Sequence, residues 1–109
     1  MAYDEELAER VRELLEGEAG LTEKKMFGGL GFMVGGNMAV AASGQGGLLV
    51  RVDPSSSYDE SGVEPMVMGG RTSRGWVHVS PEVVDGADAL RTWVDRGVAA
   101  ARASVSPGP

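Results

Sequence analysis

Two lysines followed by five glycines among large apolar residues, Lys24 to Gly36 in "KKMFGGLGFMVGG", are the part of this chain most like a phosphate cradle. Such a cradle uses backbone N–H groups at a glycine turn that opens a helix. A dinucleotide fingerprint needs glycines at its first, third and sixth positions, and starting at Gly29 the chain supplies Gly29, Gly31 and then Val34. A P-loop needs lysine and then serine or threonine after its second glycine, and Gly36 is followed by Asn37 and Met38. Both patterns fail. Met, Phe and Val run through the glycines as they do in a strand, where glycine marks a bulge or the close approach of another group. The stretch is read as a strand, Met26 to Val34, entering a hairpin.

The remaining chemistry-bearing residues are few. His78 is the single histidine, in "WVHVS", where alternation puts it on one sheet face with Trp76 and puts Val77 and Val79 on the other. No G-x-S-x-G elbow accompanies it. With no cysteine there is no disulfide, thiolate nucleophile or thiolate metal site. The carboxylates, among them Asp59, Glu60, Asp85 and Asp88, follow no calcium-loop spacing and suit turns and helix starts. No catalytic residue, metal ligand or cofactor is therefore assigned. Lys24, Lys25, Arg51, Arg71 and Arg74, with Trp76 beside the last, are the candidate interaction or anion surface, because strand and hairpin ends can meet in space.

The elements that must position these residues follow from apolar spacing and punctuation. Tyr3, Leu7, Val11, Leu14 and Leu15 form the stripe of an amphipathic first helix, with Asp4, Glu5 and Glu6 at its positive end and the i, i+4 pairs Glu6–Arg10 and Arg12–Glu16 outside. Strands at Met26 to Val34, Met38 to Ala42 and Leu48 to Val52 are joined by the glycine-rich links "GGN" and "SGQGG" into an antiparallel meander. Asp53 and Pro54 open a helix of one or two turns. Met66 to Met68 and Trp76 to Val79 are two further strands with "GGRTSRG" as their turn. The last helix starts at Asp85 or Gly86 and carries the stripe Leu90, Trp93, Val94, Val98 and Ala101. Gly97 costs that helix about 1 kcal/mol against alanine, so it marks close approach to another backbone. The expected core comprises Phe27, Leu30, Phe32 or Met33, Val50, Trp93, Val94 and Val98.

A chain of 109 residues holds one domain, expected over residues 1–103, with 104–109 a disordered tail. No signal-peptide pattern or membrane-length apolar run appears, so a cytoplasmic protein is expected. The formal charge of −6 is uneven. Residues 1–20 carry seven acids against Arg10 and Arg12, whereas residues 24–74 carry five bases against four acids.

The segments "KKMFGGLGFMVGGNMAVAASGQGGLLVRVD", "GRTSRGWVHVSPE" and "LRTWVDRGVAAAR" resemble the N-terminal domain of the TfoX/Sxy family of competence regulators over roughly residues 24–103. Met26, Phe27, Gly28, Gly29, Arg51, Gly75, Trp76 and Trp93 stand at the motif positions. The resemblance implies an α+β, two-layer, mostly antiparallel five-stranded sheet in the order α-β-β-β-α-β-β-α, like the secretion chaperones. Full-length competence regulators of this family add a helical C-terminal domain, which these 109 residues do not include, so a stand-alone N-terminal domain is expected.

Without a catalytic constellation, the expected function is that of a non-enzymatic regulatory or adaptor domain binding another protein or a second copy of itself. The alternative is a small-molecule or anion-binding module that gathers Lys25, Arg51 and Arg74 in one cleft. Direct nucleic-acid binding is not expected. Duplex affinity comes mostly from Lys and Arg displacing counterions, and here the central bases are offset by acids while the first helix adds repulsion. Fluorescence anisotropy with a mixed-sequence duplex at about 50 mM salt should show no saturable binding tighter than about 100 μM. Salt-sensitive binding below that limit would instead make the five central bases a functional surface.

Overall fold

The computed structural model describes residues 4–26, 28–53, 61–68 and 71–103, with side chains except those of residues 26, 66–68 and 71–74. Helix α1 (Glu5–Leu15) leads into strands β1 (Leu21–Met26), β2 (Gly29–Val34), β3 (Asn37–Ala42) and β4 (Leu48–Arg51). Strands β5 (Val63–Met68) and β6 (Arg71–Val79) follow, then the single-turn α2 (Pro81–Val84) and α3 (Ala87–Ala103). The strands form one antiparallel sheet in the order β1-β2-β3-β4-β6-β5. The α+β class and antiparallel sheet are as expected, with six strands among the described residues where five were expected.

The register explains why one face is the core. In antiparallel pairs, directly opposed residues point to the same side. Leu30, Ala42, Leu48, Val79 and Val63 therefore make one row across the sheet, and Phe32, Val40, Val50 and Val77 the next. All nine are buried. Against them pack Leu7, Val11 and Leu15 of α1, Val84 of α2, and Leu90, Trp93 and Val94 of α3. Phe32, not Met33, supplies the core side chain at that point, and Val98 packs at the margin. Phe27 lies outside the described residues.

Strand β3 carries a bulge: Phe32 opposes Val40 but Met33 opposes Met38, so Ala39 is the extra residue. Here α3 comes close to the sheet. A Cβ on Gly97 would stand 2.6 Å from the Ala39 carbonyl oxygen and 2.6 Å from Val40 Cγ1. The glycine in mid-helix thus marks close backbone approach, as its sequence position implied. Asn37 Nδ2 donates to the Ala101 carbonyl at 3.1 Å, fixing the far end of α3 against β3.

Two strand boundaries differ from expectation. The strand expected over Met26 to Val34 is two strands, because Gly28, with φ of +77°, turns the chain back so that Met26 faces Gly29. Strand β1 gave no periodic signal, since Thr22, Glu23, Lys24 and Lys25 are polar and exposed on a sheet edge. Residues 71–75, expected as part of a turn, belong to β6, and beyond the Arg51–Trp76 pair that strand is laddered to β5 alone. The helix expected after Asp53 falls on residues 54–60, outside the described residues. The "GGN" link is a two-residue turn at Gly35 and Gly36, both with positive φ, which suits the twist of a hairpin.

The arginines of α1 find partners beyond their own helix. Arg10 donates to the Val84 and Asp85 carbonyls at 3.2 and 3.1 Å, closing the C-terminal end of α2. Arg12 holds Glu23 of β1 through Nε at 2.7 Å and Nη2 at 2.9 Å, and also contacts Glu9. The hydrogen bond from Arg12 draws the Glu23 carboxyl below its ordinary value.

Three outcomes follow from this packing. Trp93→Ala should lower stability by about 3–5 kcal/mol, because a buried indole leaves a cavity, and equilibrium unfolding measures it. Gly97→Ala should also destabilise: forcing α3 off the Ala39 carbonyl costs about 1–3 kcal/mol, more than the roughly 1 kcal/mol that alanine adds in helix propensity. A more stable Gly97→Ala variant would show that the helix does not approach so closely. Glu23 has a folded-state pKa below its unfolded one, so its tie to Arg12 contributes fully above the ordinary glutamate range and is lost as pH falls through the depressed value. Titration by NMR should find that low midpoint, and Arg12→Ala should return it toward the ordinary one.

Candidate functional site

On the side of the sheet away from the helices, alternation places Lys24, Gly31, Ala41, Leu49, His78 and Glu64 in one row from edge to edge. Gly31 and Ala41 leave the middle of this row low, and the Met38 side chain lies over it. A Cβ on Gly31 would come within 2.9 Å of Met38 Cε. At Gly29 the obstacle is backbone, since a Cβ there would stand 2.4 Å from the Ala42 carbonyl oxygen. The glycines of "MFGGLG" thus serve a hairpin and close packing, and none opens a helix.

Arg51 ends β4 directly opposite Trp76 of β6. Its guanidinium carbon lies 4.9 Å from the centroid of the Trp76 ring. In the other direction Nε donates to the Met38 carbonyl at 2.6 Å. The β3–β4 ladder runs only from Val40 to Ala42, so this carbonyl sits just beyond its end, beside the bulge. One side chain therefore ties β3, β4 and β6 together. Arg51 and Trp76 are both half-buried, as are Met33, Met38 and Leu49 around them. No described helix packs on this face.

The other sequence-nominated bases are placed differently. Lys24 and Lys25 are exposed neighbours on the edge strand β1, and they point to opposite sides: Lys24 opposes Gly31 on the open side, whereas Lys25 opposes the core residue Leu30. The structure does not bring Lys25 to Arg51. The backbones of Arg71 and Arg74 lie in β6, while their side chains are outside the described set. Gly75 is part of β6 and its carbonyl accepts from Val52 N at 2.9 Å. Met26 ends β1, and Trp93 is a core residue with the Arg96 guanidinium 4.5 Å from its ring centroid.

His78 lies on the open side beside Leu49, and its Nε2 is 2.8 Å from the Gly46 carbonyl. A carbonyl only accepts, so Nε2 carries the proton and holds the β3–β4 loop. Gly47 leaves room for the ring, since a Cβ there would sit 2.8 Å from Nε2. Among the described residues, no three His, Cys, Asp or Glu side chains are grouped to hold a metal ion. A shallow groove of about 370 Å³ on the helix side, between α2, α3 and the start of β5, is lined by Val63, Val83, Asp88, Thr92 and Arg96, among others, and by none of the nominated bases.

Sequence reasoning nominated Arg51 and Trp76 separately but missed that they are partners. It also missed Met33, Met38 and Leu49 as their surroundings. The pairing depends on β4 lying beside β6 and not beside β5, a non-local register that no local pattern encodes.

No curated protein and no solved structure matches the chain. The TfoX N-terminal domain family model matches residues 13–101, from within α1 through all six strands to the last turn of α3. The protein belongs to the TfoX N-terminal domain family.

Proposed function

We propose that this domain is a non-enzymatic regulatory or adaptor module that binds another protein through the open face of its sheet. The observation that supports this reading most is the asymmetry of the sheet. One face is filled by α1, α2 and α3, while the other presents half-buried Met33, Met38, Leu49 and Trp76 around Arg51 with no described helix over them. Half-buried methionine and tryptophan around an arginine are the residue types enriched in protein interfaces. Family membership is in keeping with a regulatory role.

The test is affinity capture from the native cell with three versions of the full chain: wild type, Leu49→Arg on the open face, and Arg91→Glu on the exposed side of α3. Proteins retained by wild type and by Arg91→Glu but lost from Leu49→Arg are expected. An identical set on all three baits would place binding elsewhere, and loss from Arg91→Glu alone would move it to the helix side.

A further inference from the structure

Resting on the open-face reading above, we propose that Arg51 is a ready-made receptor for a carboxylate, and that the partner of this face is an acidic, amphipathic segment of another protein. Arginine ordinarily loses side-chain freedom when it binds an anion. Here much of that loss is already incurred within the domain. Nε is tied to the Met38 carbonyl and the guanidinium carbon lies over the Trp76 ring. Its two terminal nitrogens have no partner among the described residues. They form one side of the planar fork that matches an Asp or Glu carboxylate.

The absence of a described ion pair at Arg51 is the informative contrast. The chain carries 16 acids against 10 Lys and Arg, and the arginines with described ion pairs to carboxylates hold them on the helix side: Arg12 with Glu9 and Glu23, and Arg102 with Glu18 at 2.5 Å. On the open side the described strand charges are Lys24 and Arg51 against Glu64, and the exposed Asp53 follows Arg51 by two residues, so this face is close to neutral in a protein of net charge −6. The fork of Arg51, which pairs with no described carboxylate, therefore selects an acidic group on the partner. The apolar side chains around the fork select one that is also apolar, since a carboxylate held among Met38, Leu49 and Trp76 is shielded from water and bound more tightly.

Two other occupants fit less well. A nucleic acid would meet only two described bases here and the repulsion of the remaining chain. A second copy docked face to face about a two-fold axis would bury both Arg51 guanidiniums in one interface. Its acidic α1 could reach the fork only through a head-to-tail contact, which propagates without closing unless the rotation forms a ring.

The experiment selects from a randomised twelve-residue peptide library on the immobilised full chain, then measures synthetic versions of the enriched peptides against wild type, Arg51→Lys, Arg51→Met and Leu49→Arg. The expected peptides combine an Asp or Glu with apolar residues. They should bind Arg51→Lys at least about tenfold more weakly than wild type, and wild type should discriminate equally against the same peptide with that acid changed to its amide. Arg51→Lys keeps the charge and a donor for Met38, and the amide peptide leaves the protein untouched, so the result stands even if Arg51→Met does not fold. Peptides without an acid, acidic peptides indifferent to both Arg51 variants, or no enrichment at all would overturn the proposal. If Leu49→Arg abolishes binding while the Arg51 variants do not, the open-face function survives and the carboxylate receptor falls. Duplex DNA binding or self-association in sedimentation that disappears in Arg51→Lys would assign the face to those occupants instead and contradict the proposal.

Discussion

The close approach of α3 to the bulge of β3, which leaves no room for a side chain at Gly97, is the constraint on which the rest depends. No Cβ fits between Gly97 and the Ala39 carbonyl, so glycine there is required for the helix to lie on the sheet at that distance. Trp93, Val94 and Leu90 then meet the rows of valine and leucine beneath them, and α1 closes the remaining side through Leu7, Val11 and Leu15. The same bulge leaves the Met38 carbonyl just past the β3–β4 ladder, where Arg51 takes it. A single extra residue in one strand thus seats the helix on one face and locates the arginine on the other.

The two faces divide the charge as well as the packing. Acids and their arginine partners gather around α1, where Arg12 links the helix to the polar edge strand β1 and Arg102 links the end of α3 to Glu18. These exposed pairs contribute little stability individually. Their consequence is spatial: acids cluster on the helix side, and the open side keeps a half-buried guanidinium that pairs with no described carboxylate. An edge strand bearing Lys24 and Lys25 also resists unwanted pairing with another sheet, as charged edges do.

The meander β2-β3-β4 was legible in the sequence because its strands are apolar runs separated by glycine pairs that only a hairpin would use. Gly97 was legible because a glycine inside a strong helical stripe needs a packing reason. Strand β1 was not, since an edge strand can be held by its ladder with little burial, and only Leu21 among its first five residues is apolar. The first half of β6 was hidden for a related reason: "RTSRG" reads as a turn by composition, yet its ladder with β5 needs no apolar row. Arg51 was found as a charge and Trp76 as an aromatic, but their contact comes from strand order, which is set by tertiary packing. Lys24 and Lys25, adjacent in sequence, are separated by the alternation of the strand they occupy.

The central claim is that Arg51 is held in place before any partner arrives. Its side-chain Nε–H resonance in the free protein tests this most directly. The account predicts a single resolved signal, protected from solvent exchange, shifted by the ring of Trp76, and showing through-space contacts to the Trp76 indole and to Met38. A signal that exchanges freely at the position shared by solvent-exposed arginines, with no contact to either residue, would contradict it.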